Sequence, residues 1–452
     1  MITENVLARY YSQVQEALYA LFPERGGGED ADFSPGPELP ELTPAVRNYL
    51  AASEVAYLPM PQYREKRLSL LDLTRNPGTG TTKTFPSLVM VARAVRFIQD
   101  TGQRVTIVTP SSANKGVALR DAVLRAITCG LVTPDQLNVI VIVPSGSAHK
   151  LRSSELLTDA DLRGRNPIAV YNGPEAEAVK AIAREMVDRH RRVLEKDLDT
   201  NLWYTLQLEN YLAGDVVRAL SEAEFFPADA ERPRLHAHAV SSAYGFLGHA
   251  YGREMVTGHG AGVPPRYFLV QHLAAPDMVV SLYGGCDAGK VPTYVYEREW
   301  GGYAQRENPH FPRVTFDPEE VLDTTFYSRN PVTSPRMNSL IEGQGGGGIV
   351  VSLAECLERY GQVRSYLKDA GLTIPANPTS VLEWSVNMAM TGVFNAIDRG
   401  LLPEDDILIH GSGVYGRDDF EGVGLSQLQK VENADALRDL VLSTAASTRA
   451  MS

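Results

Sequence analysis

Cysteine is scarce and long hydrophobic runs are absent in this sequence of 452 residues. Its three cysteines, Cys129, Cys286 and Cys356, lie far apart, form no CxxC pair and cannot all pair internally. A reducing compartment is therefore expected, and a chain this long can fold without a disulfide or metal staple. No apolar run approaches the roughly 18 residues of a spanning helix, and the N-terminus shows no apolar secretory core. We expect a soluble cytoplasmic protein with no membrane partner.

Basic residues are also fewer than acidic residues. Lysine and arginine number 43 against 55 aspartate and glutamate residues, which gives a net charge of −12, and no basic run occurs. This balance argues against a nucleic acid or an anionic membrane as partner. Apolar residues (44%) and charged residues (22%) occur in ordinary globular proportions, and the length predicts two or three domains.

Short apolar runs alternate with stretches of helical periodicity from residue 68 onward. The predicted strands are 105–108, 139–143, 168–171, 235–240, 267–271 and 406–409, and the predicted helices are 85–98, 115–129, 175–193, 245–255 and 378–399. The first twenty residues predict an amphipathic helix, and the residues 22–43, rich in glycine and proline, predict a surface linker. Residues 258–266 and 330–348 are predicted loops. Strands followed by crossover helices predict an α/β fold with largely parallel sheets.

The segment NPGTGTTKT (76–84) delivers one lysine, Lys83, to the start of a predicted helix. Free backbone N–H groups and the helix dipole both favour an anionic ligand at such a place. A nucleotide-binding P-loop, GxxxxGK[ST], needs glycines at positions 77 and 82, where Pro77 and Thr82 stand instead. A solvated lysine on a surface turn is the other alternative.

Two more polar loops follow predicted strands and open helices. In TPSSANKG (109–116), three polar side chains cluster at the carboxyl end of a strand, the edge at which open α/β sheets bind ligands. Helix capping is the alternative there, since serine and asparagine both accept from first-turn amides. In VSSAYGFLG (240–248), small residues allow the backbone to approach a ligand phosphate closely. An ordinary turn between strand and helix is the alternative.

A fourth segment, ILIHGSGVYG (407–416), contains GxGxxG after a predicted strand. A dinucleotide site would need a helix, another strand and an acidic residue about twenty positions further on. The loop instead continues into the charged residues 417–419. We therefore do not expect a dinucleotide site here.

Taken in order and spacing, these loops resemble those of the fold type II pyridoxal-phosphate enzymes, the group of the tryptophan synthase β-subunit and threonine synthase. NPGTGTTKTF (76–85) is similar to the lysine-bearing segment N-P-T-G-S-F-K-D, and SSANKG (111–116) to the loop S-S/T-G-N-x-G. SSAYGFLG (241–248) stands in the place of the glycine-rich phosphate loop, most like the threonine synthase variant S-G-N-x-G-N. ANPTSV (376–381) resembles D-P-x-[ST]-A of threonine synthases, and GLLPEDDILIHGSG (400–413) resembles the strand and loop that reach the cofactor's pyridine nitrogen.

The resemblance implies pyridoxal 5'-phosphate as cofactor, no metal, and a role for each loop. Lys83 would bond the cofactor aldehyde and shuttle the substrate's α-proton, and Asn114 would hydrogen-bond the cofactor's 3-hydroxyl oxygen. Ser412 is the first choice for contact with the pyridine nitrogen, and His410 is the second. The remaining positions would hold the cofactor phosphate (Ser241, Ser242, Ala243, Tyr244, Gly245, Phe246) or the substrate, chiefly its carboxylate (Ser111, Ser112, Ala113, Lys115).

The resemblance also implies an architecture of two open, mostly parallel α/β sheet domains with the active site between them. Residues 1–67 would form an N-terminal helix and linker. Residues 68–100 and 231–452 would form the larger, cofactor-binding domain, and residues 101–230 the smaller domain that carries the SSAN loop. A homodimer is the oligomeric state expected from the family.

The implied function is that of a threonine synthase-like or cysteine synthase-like lyase or transferase, which catalyses β- or γ-elimination or replacement on an amino acid. Several positions depart from the family motifs: Thr84 replaces aspartate, Thr82 an aromatic or similar residue, Ala113 and Ser242 glycine, and Ala243 asparagine. These departures favour specialised biosynthesis over a housekeeping threonine synthase. Two alternatives stay open, an ATP-dependent phosphotransferase with a P-loop-like segment and a catalytically silent relative that acts as a binding partner.

Overall fold

Seventeen strands form the sheets of the computed structural model, which describes residues 2–22, 32–258, 263–284 and 286–449. The strands are Ile2–Thr3 (β1), Val55–Pro59 (β2), Arg67–Asp72 (β3), Val105–Pro110 (β4), Leu137–Pro144 (β5), Ile168–Tyr171 (β6), Asn201–Tyr204 (β7), Leu235–Ala239 (β8), Arg266–His272 (β9), Val295–Glu297 (β10), Gly302–Ala304 (β11), Val314–Thr315 (β12), Gly346–Val351 (β13), Val381–Glu383 (β14), Asp406–Gly411 (β15), Tyr415–Gly416 (β16) and Gln429–Val431 (β17).

The α-helices lie mostly between consecutive strands. They are Val6–Arg9 (α1), Tyr11–Leu21 (α2), Pro44–Tyr49 (α3), Thr84–Thr101 (α4), Asn114–Thr128 (α5), Glu155–Thr158 (α6), Ala160–Arg165 (α7), Ala178–Leu198 (α8), Leu208–Asp215 (α9), Val217–Phe225 (α10), Tyr244–Thr257 (α11), Asp277–Leu282 (α12), Ser334–Gln344 (α13), Leu353–Asp369 (α14), Ser385–Asp398 (α15) and Ala434–Arg449 (α16). Within the described part of the chain, no helix is both long and apolar enough to cross a bilayer.

Two sheets carry the fold. The larger has seven strands in the order β1-β2-β3-β15-β8-β9-β13; β1 and β2 pair antiparallel at one edge, and β3, β15, β8, β9 and β13 are parallel. The second sheet has five strands in the order β17-β6-β5-β4-β7, and all of its pairs are parallel. The predicted α/β class with two open, mostly parallel sheets is confirmed.

The central strands are covered on both faces. Every residue of β4, β8 and β15 is buried. Strand β15 contains the apolar run ILI, which is typical of parallel strands between helix layers, whereas β4 (VTIVTP) includes threonine and β8 (LHAHA) alternates histidine with apolar residues. All three strands lie within one or two residues of their predicted bounds.

The predicted helix over residues 378–399 is wrong in its first third. A single 3₁₀ turn at Pro378–Ser380 leads into strand β14, and helix α15 begins only at Ser385. Residues Val381 and Glu383 pair antiparallel with β16, a partner that lies more than thirty positions later. Local apolar periodicity carries no information about such a partner, so tertiary pairing overrides it.

The predicted loop over residues 330–348 is also wrong, because it contains α13 and the start of β13. The glycines of β13 allow neighbouring side chains to pack closely against the strand backbone. A Cβ on Gly347 would lie 2.6 Å from Tyr283 Oη, and a Cβ on Gly348 would lie 3.1 Å from Val279 Cγ2. Helix α12 therefore packs directly on the backbone of β13, a use of glycine that sequence alone reads as a loop.

Two predicted segments fall partly outside the described residues. Of the predicted linker 22–43, residues 23–31 lie outside them, and residues 32–43 form neither helix nor strand. Of the predicted loop 258–266, residues 259–262 lie outside them. The predicted N-terminal helix is present as α1 and α2, which separate at Tyr10.

The division into domains stays a prediction. Strand β17 pairs with β6 in the five-stranded sheet, and Leu437 and Val441 of α16 pack in one apolar cluster with Val179 and Ile182 of α8. The C-terminal part of the chain thus packs with the smaller sheet, whereas the predicted division placed residues 231–452 with the larger one.

Candidate active site

A cavity of about 490 Å³ opens at the carboxyl ends of strands from both sheets. The loops that follow β3, β4, β8 and β15 line it, together with residues 325–332. This edge is where open parallel sheets bind ligands, and the volume falls in the range of about 300–1,000 Å³ typical of small-molecule sites. Every predicted site residue lines this cavity except Ala113, Phe246 and His410.

Lys83 immediately precedes α4, and its side chain reaches the cavity. Burial lowers the pKa of its amine; the Asp215 carboxylate opposes this shift and the Arg218 guanidinium adds to it. The Nζ atom lies 5.4 Å from the centre of the Tyr211 ring. An amine with a lowered pKa is a stronger nucleophile and proton acceptor near neutral pH than an exposed lysine amine.

The loop before this lysine uses its own amides within the protein. The amides of residues 78–81 all donate to oxygens of Asn76 or Thr79, and the Thr82 amide donates to the Ser412 carbonyl oxygen at 2.8 Å. A P-loop needs a row of free amides to surround nucleotide phosphates. The phosphotransferase alternative therefore finds no support in this loop.

Asn114 is the first residue of α5 and connects two distant segments at the cavity wall. Its Nδ2 donates to Glu383 Oε2 at 2.6 Å, and its Oδ1 accepts from Tyr415 Oη at 2.7 Å. Ser111 instead accepts with its Oγ from two amides at the start of the helix, at 3.1 and 2.9 Å. Helix capping thus describes Ser111 and does not describe Asn114.

The loop between β8 and α11 leaves its amides uncommitted. Across the described ranges, no backbone or side-chain acceptor is found for the N–H groups of residues 241–245. Tyr244 and Gly245 open α11, and first-turn amides have no partner inside their own helix. Free amides at the positive end of a helix dipole suit a phosphate group. The contrast with the lysine loop identifies this loop as the better anion site.

Backbone strain coincides with two of the loops. Ala113 has a φ of 103° just before α5, and Ala243 has a φ of 50° just before α11. A residue with a Cβ at positive φ costs about 1–2 kcal/mol. Both alanines immediately precede helices whose first turns line the cavity. The resemblance expects glycine and asparagine at these positions, the residue types that tolerate positive φ best.

The segment after β15 places its two predicted residues differently. Ser412 lines the cavity, whereas His410 is fully buried beneath it and faces neighbouring side chains. Beyond Gly411 the chain enters the two-residue strand β16 and a 3₁₀ turn, and residues 412–424 contain no α-helix. The GxGxxG pattern lacks the helix of a dinucleotide site, as expected.

A buried charge cluster behind Asn114 was not predicted from the sequence. Lys150 Nζ donates to Asp323 Oδ1 at 2.5 Å and to Glu383 Oε2 at 3.2 Å, and all three side chains are at most 1% exposed. Burial opposes the charge of Lys150, but the two carboxylates outweigh burial and raise its pKa. The three residues come from three distant segments and belong to no local motif.

Arg218 in α10 is a second residue that sequence reasoning missed. It lines the cavity, is 1% exposed, and donates from Nη2 to Thr82 Oγ1 at 2.6 Å and from Nε to Asp215 Oδ1 at 2.8 Å. An arginine is rarely buried in full unless it is paired. Its place among the apolar residues of VVRAL (216–220) was the one local signal available.

Solved structures of threonine synthases are similar to this one. Threonine synthase from Escherichia coli has a TM-score of 0.54 at 16% identity, over 95% of this chain and 96% of that chain. The PLP-bound threonine synthase from Brucella melitensis has a TM-score of 0.53 at 12% identity, over 96% of each chain. Likeness at these identities shows a shared fold. The predicted resemblance to fold type II enzymes is therefore confirmed in its architecture.

Sequence comparison adds one family and no annotated relative. A protein-family model described as "Family of unknown function (DUF6002)" matches residues 2–445. No curated protein matches the chain.

Proposed function

The chain belongs to the family of unknown function DUF6002, and we propose that it is a pyridoxal-phosphate-dependent enzyme that acts on an amino acid. One observation carries the proposal: a lysine of lowered pKa and a loop of free amides face the same cavity. A phosphate ester that carries an aldehyde needs an amine for the aldehyde and an anion site for the phosphate, and these two groups lie at opposite ends of the molecule. The residues present therefore fit this cofactor.

Each predicted residue would hold one part of that cofactor. The amides of residues 241–245 would bind its phosphate, and Lys83 would bond its aldehyde carbon. Asn114 would face the 3-hydroxyl oxygen with an amide that Glu383 and Tyr415 already orient. Ser412 is the cavity-lining group that we assign to the pyridine nitrogen. When bound, the cofactor supplies an electron sink for charge that develops at the substrate's α-carbon.

The protein's own groups would bind the substrate and move its proton. Ser112 presents a polar group to the cavity, and Lys115 presents a second, buried amine, which donates to the Thr205 carbonyl oxygen. We assign both to the substrate carboxylate, together with the backbone at Ser111 and Ala113. Lys83, whose amine gives up its proton more readily than an exposed lysine, would take the proton from the α-carbon and return it.

Residues 325–332 would exclude water during that transfer. Tyr327 and Ser328 of this segment contact Lys180, whose Nζ donates to Ser328 Oγ at 3.2 Å. Just beyond it, Thr333 Oγ1 donates to the Ser242 carbonyl oxygen at 2.7 Å, which ties the covering segment to the proposed phosphate loop. A segment held over the cavity in this way would keep water from the substrate's α-carbon.

We propose β- or γ-elimination or replacement as the reaction, of the lyase or transferase kind that the resemblance implies. The proposal includes a cytoplasmic homodimer, and the domain division with residues 101–230 as the smaller unit. The motif departures leave the substrate's side chain and leaving group open. These departures, at Thr82, Thr84, Ala113, Ser242 and Ala243, lie in the loops around the cavity.

The test is a visible absorption scan of the purified full-length chain mixed with pyridoxal 5'-phosphate. We expect a visible band, and borohydride reduction followed by peptide mapping should place the pyridoxyl group on Lys83. Lys83→Met should abolish the label, and the matched control Lys290→Met, at an exposed lysine, should keep it. A label on Lys115, on Lys290 or on no lysine contradicts the proposal.

A panel of amino acids then separates an enzyme from a silent relative. A spectral shift with particular amino acids, and release of ammonia or a leaving group, would identify the reaction class. Bound cofactor with no spectral response to any amino acid would favour the silent relative.

A further inference from the structure

A buried chain of side chains connects Glu222 to the cavity-lining Arg218 through two histidines. Arg218 Nη1 lies 3.2 Å from His410 Nδ1, and His410 Nε2 lies 3.0 Å from His236 Nδ1. His236 Nε2 in turn lies 3.7 Å from Glu222 Oε1. None of the four residues is more than 3% exposed. This series of side chains starts in α10 at Arg218, passes through β15 and β8, and returns to α10 at Glu222.

Because one end of this series of side chains can only donate, the direction of each hydrogen bond along it is fixed. A guanidinium can only donate, so His410 accepts at Nδ1 and carries its proton on Nε2. That proton is donated to His236 Nδ1, which leaves the His236 proton on Nε2, facing the Glu222 carboxylate. Burial lowers the pKa of both histidines, which keeps each ring neutral with a single tautomer. The charges stay at the two ends, on Arg218 and on Glu222.

The guanidinium at the cavity end is held in a fixed position. It donates to Asp215, Thr82 and His410, which come from three different segments. It also lies against the first turn of α11, because a Cβ on Gly245 would be 2.6 Å from its terminal nitrogens. The same turn belongs to the loop of residues 241–245, whose amides have no acceptor among the described residues. A fixed cation therefore lies directly beside the free amides.

A metal site is the competing interpretation for the far end of the chain. Ligand atoms of Glu222, His236 and His249 all lie within 4.8 Å of one another, and all three are buried. Both carboxylate oxygens of Glu222 already have donors, Arg234 Nη1 at 2.8 Å and His249 Nε2 at 2.7 Å. A cation on Arg234 beside the carboxylate disfavours a second positive charge there. Arg234 and His249 thus satisfy both carboxylate oxygens without an ion, and His236 Nε2 faces the same carboxylate at 3.7 Å.

We propose that Arg218 is a side-chain ligand for a phosphate monoester at the first turn of α11, and that His410 and His236 are positioning residues that hold its guanidinium. The proposal rests on the proposed function for the identity of the monoester, the cofactor. The anion site itself depends only on Arg218 and the amides of residues 241–245. Charge-assisted hydrogen bonds of this kind are about twice as strong as neutral ones.

The test is calorimetric titration of inorganic phosphate into the full-length chain, freed by dialysis of any bound small molecule. We expect Arg218→Gln and His410→Leu to weaken phosphate binding by about tenfold or more, the loss typical of one charged hydrogen bond. His410→Asn keeps an acceptor where Nδ1 stands and should restore binding to within about threefold of wild type. Tyr267→Phe removes a buried hydroxyl that contacts His249 at 3.0 Å, beyond Glu222, and should leave phosphate binding unchanged.

Thermal unfolding of each variant separates positioning from general stability. His410→Leu and His410→Asn both disturb a buried site, so rescue of phosphate binding by asparagine alone marks a positioning role. Where Arg218→Gln fails to fold because Asp215 loses its partner, Gly245→Ala replaces it, since its Cβ would displace the guanidinium. A folded His410→Leu variant with wild-type phosphate affinity overturns the proposal. So does stoichiometric zinc that is lost in His236→Leu or Glu222→Gln.

The outcomes for this inference and for the proposed function are distinguishable. Phosphate binding in the expected pattern without any uptake of pyridoxal 5'-phosphate supports the Arg218 site and contradicts the cofactor. A pyridoxyl label on Lys83 together with unchanged phosphate binding in His410→Leu supports the cofactor and contradicts the Arg218 site.

Discussion

Removal of the Lys150 ammonium tests the buried charge cluster that orients Asn114. The substitution Lys150→Met keeps the length and most of the volume of the side chain and removes its charge. Two carboxylates, Asp323 and Glu383, then face each other without a cation in a region that is at most 1% exposed. Loss of one partner from a buried ion pair typically costs about 3–5 kcal/mol. Because Lys150 serves two carboxylates, we expect a loss at the upper end of that range at pH 7.

The sign of the pH dependence follows from the pKa directions. In the wild type, the Lys150 ammonium overcomes burial and holds the pKa of Asp323 below its ordinary value, so this stability is present above pH ~3.9 and is lost as the pH falls further. In Lys150→Met, burial loses its strongest opponent, so the pKa of the Asp323 carboxyl rises, although the hydrogen bonds from Thr325 and Trp384 still act to lower it. A raised pKa contributes stability at low pH that is lost as the pH rises. The difference in unfolding free energy between the two proteins therefore narrows from pH 7 towards pH 4.

Urea unfolding followed by circular dichroism at several pH values measures this difference. The matched control is Lys290→Met, which removes the exposed Lys290–Asp287 pair, whose side chains are 76% and 95% exposed, and should change stability very little. A loss below about 1 kcal/mol at pH 7, the level of a solvated pair, would refute the reasoning. So would a difference that stays constant as the pH falls.

Three further predictions concern single positions. Gly214→Ala should destabilise by about 1–3 kcal/mol in urea unfolding, because the new Cβ would lie 2.6 Å from Pro86 Cα and force α9 away from α4. Ser352→Ala should cost about 1 kcal/mol in thermal unfolding, since Ser352 Oγ accepts from the Glu355 amide at 3.1 Å at the start of α14; the exposed Ser339→Ala is the control. Lys83→Met should gain stability at pH 7, because the folded state lowers the amine pKa; the gain should shrink as the pH approaches ~10.4, where the unfolded amine also loses its proton.

The parts of the fold that sequence could predict are those with local causes. Buried parallel strands such as β4 and β15 carry short, mostly apolar runs, and the polar loops that follow them lie at the edge where open parallel sheets bind ligands. Lys83 and Asn114 were identifiable because each stands at such a loop, directly before or at the start of a helix. Their positions directly after strands of parallel sheets were enough to predict that both residues line one cavity.

The parts that failed have distant causes. Strand β14 exists because Val381 and Glu383 pair with β16, and β13 was read as a loop because its glycines serve the packing of α12. The sequence also could not distinguish helix capping from ligand binding at residues 111–114, because the deciding contact comes from a distant segment. Ser111 and Asn114 are both polar residues near a helix start, and only the contact with Glu383 distinguishes their roles.

The chain's most specific chemistry depends on pairs that no local pattern encodes. Asn114 and Glu383 are 269 positions apart, and Arg218 and His410 are 192 positions apart. Each pair links a cavity residue to a buried group that fixes its orientation, and a group held by such a partner loses less conformational freedom when a ligand binds. In the proposed site, local loops therefore decide where a ligand would bind, whereas long-range pairs decide how rigidly its ligating groups would be held. The loops depart from the family motifs at Thr82, Ala113 and Ala243, and both long-range pairs are formed behind these loops.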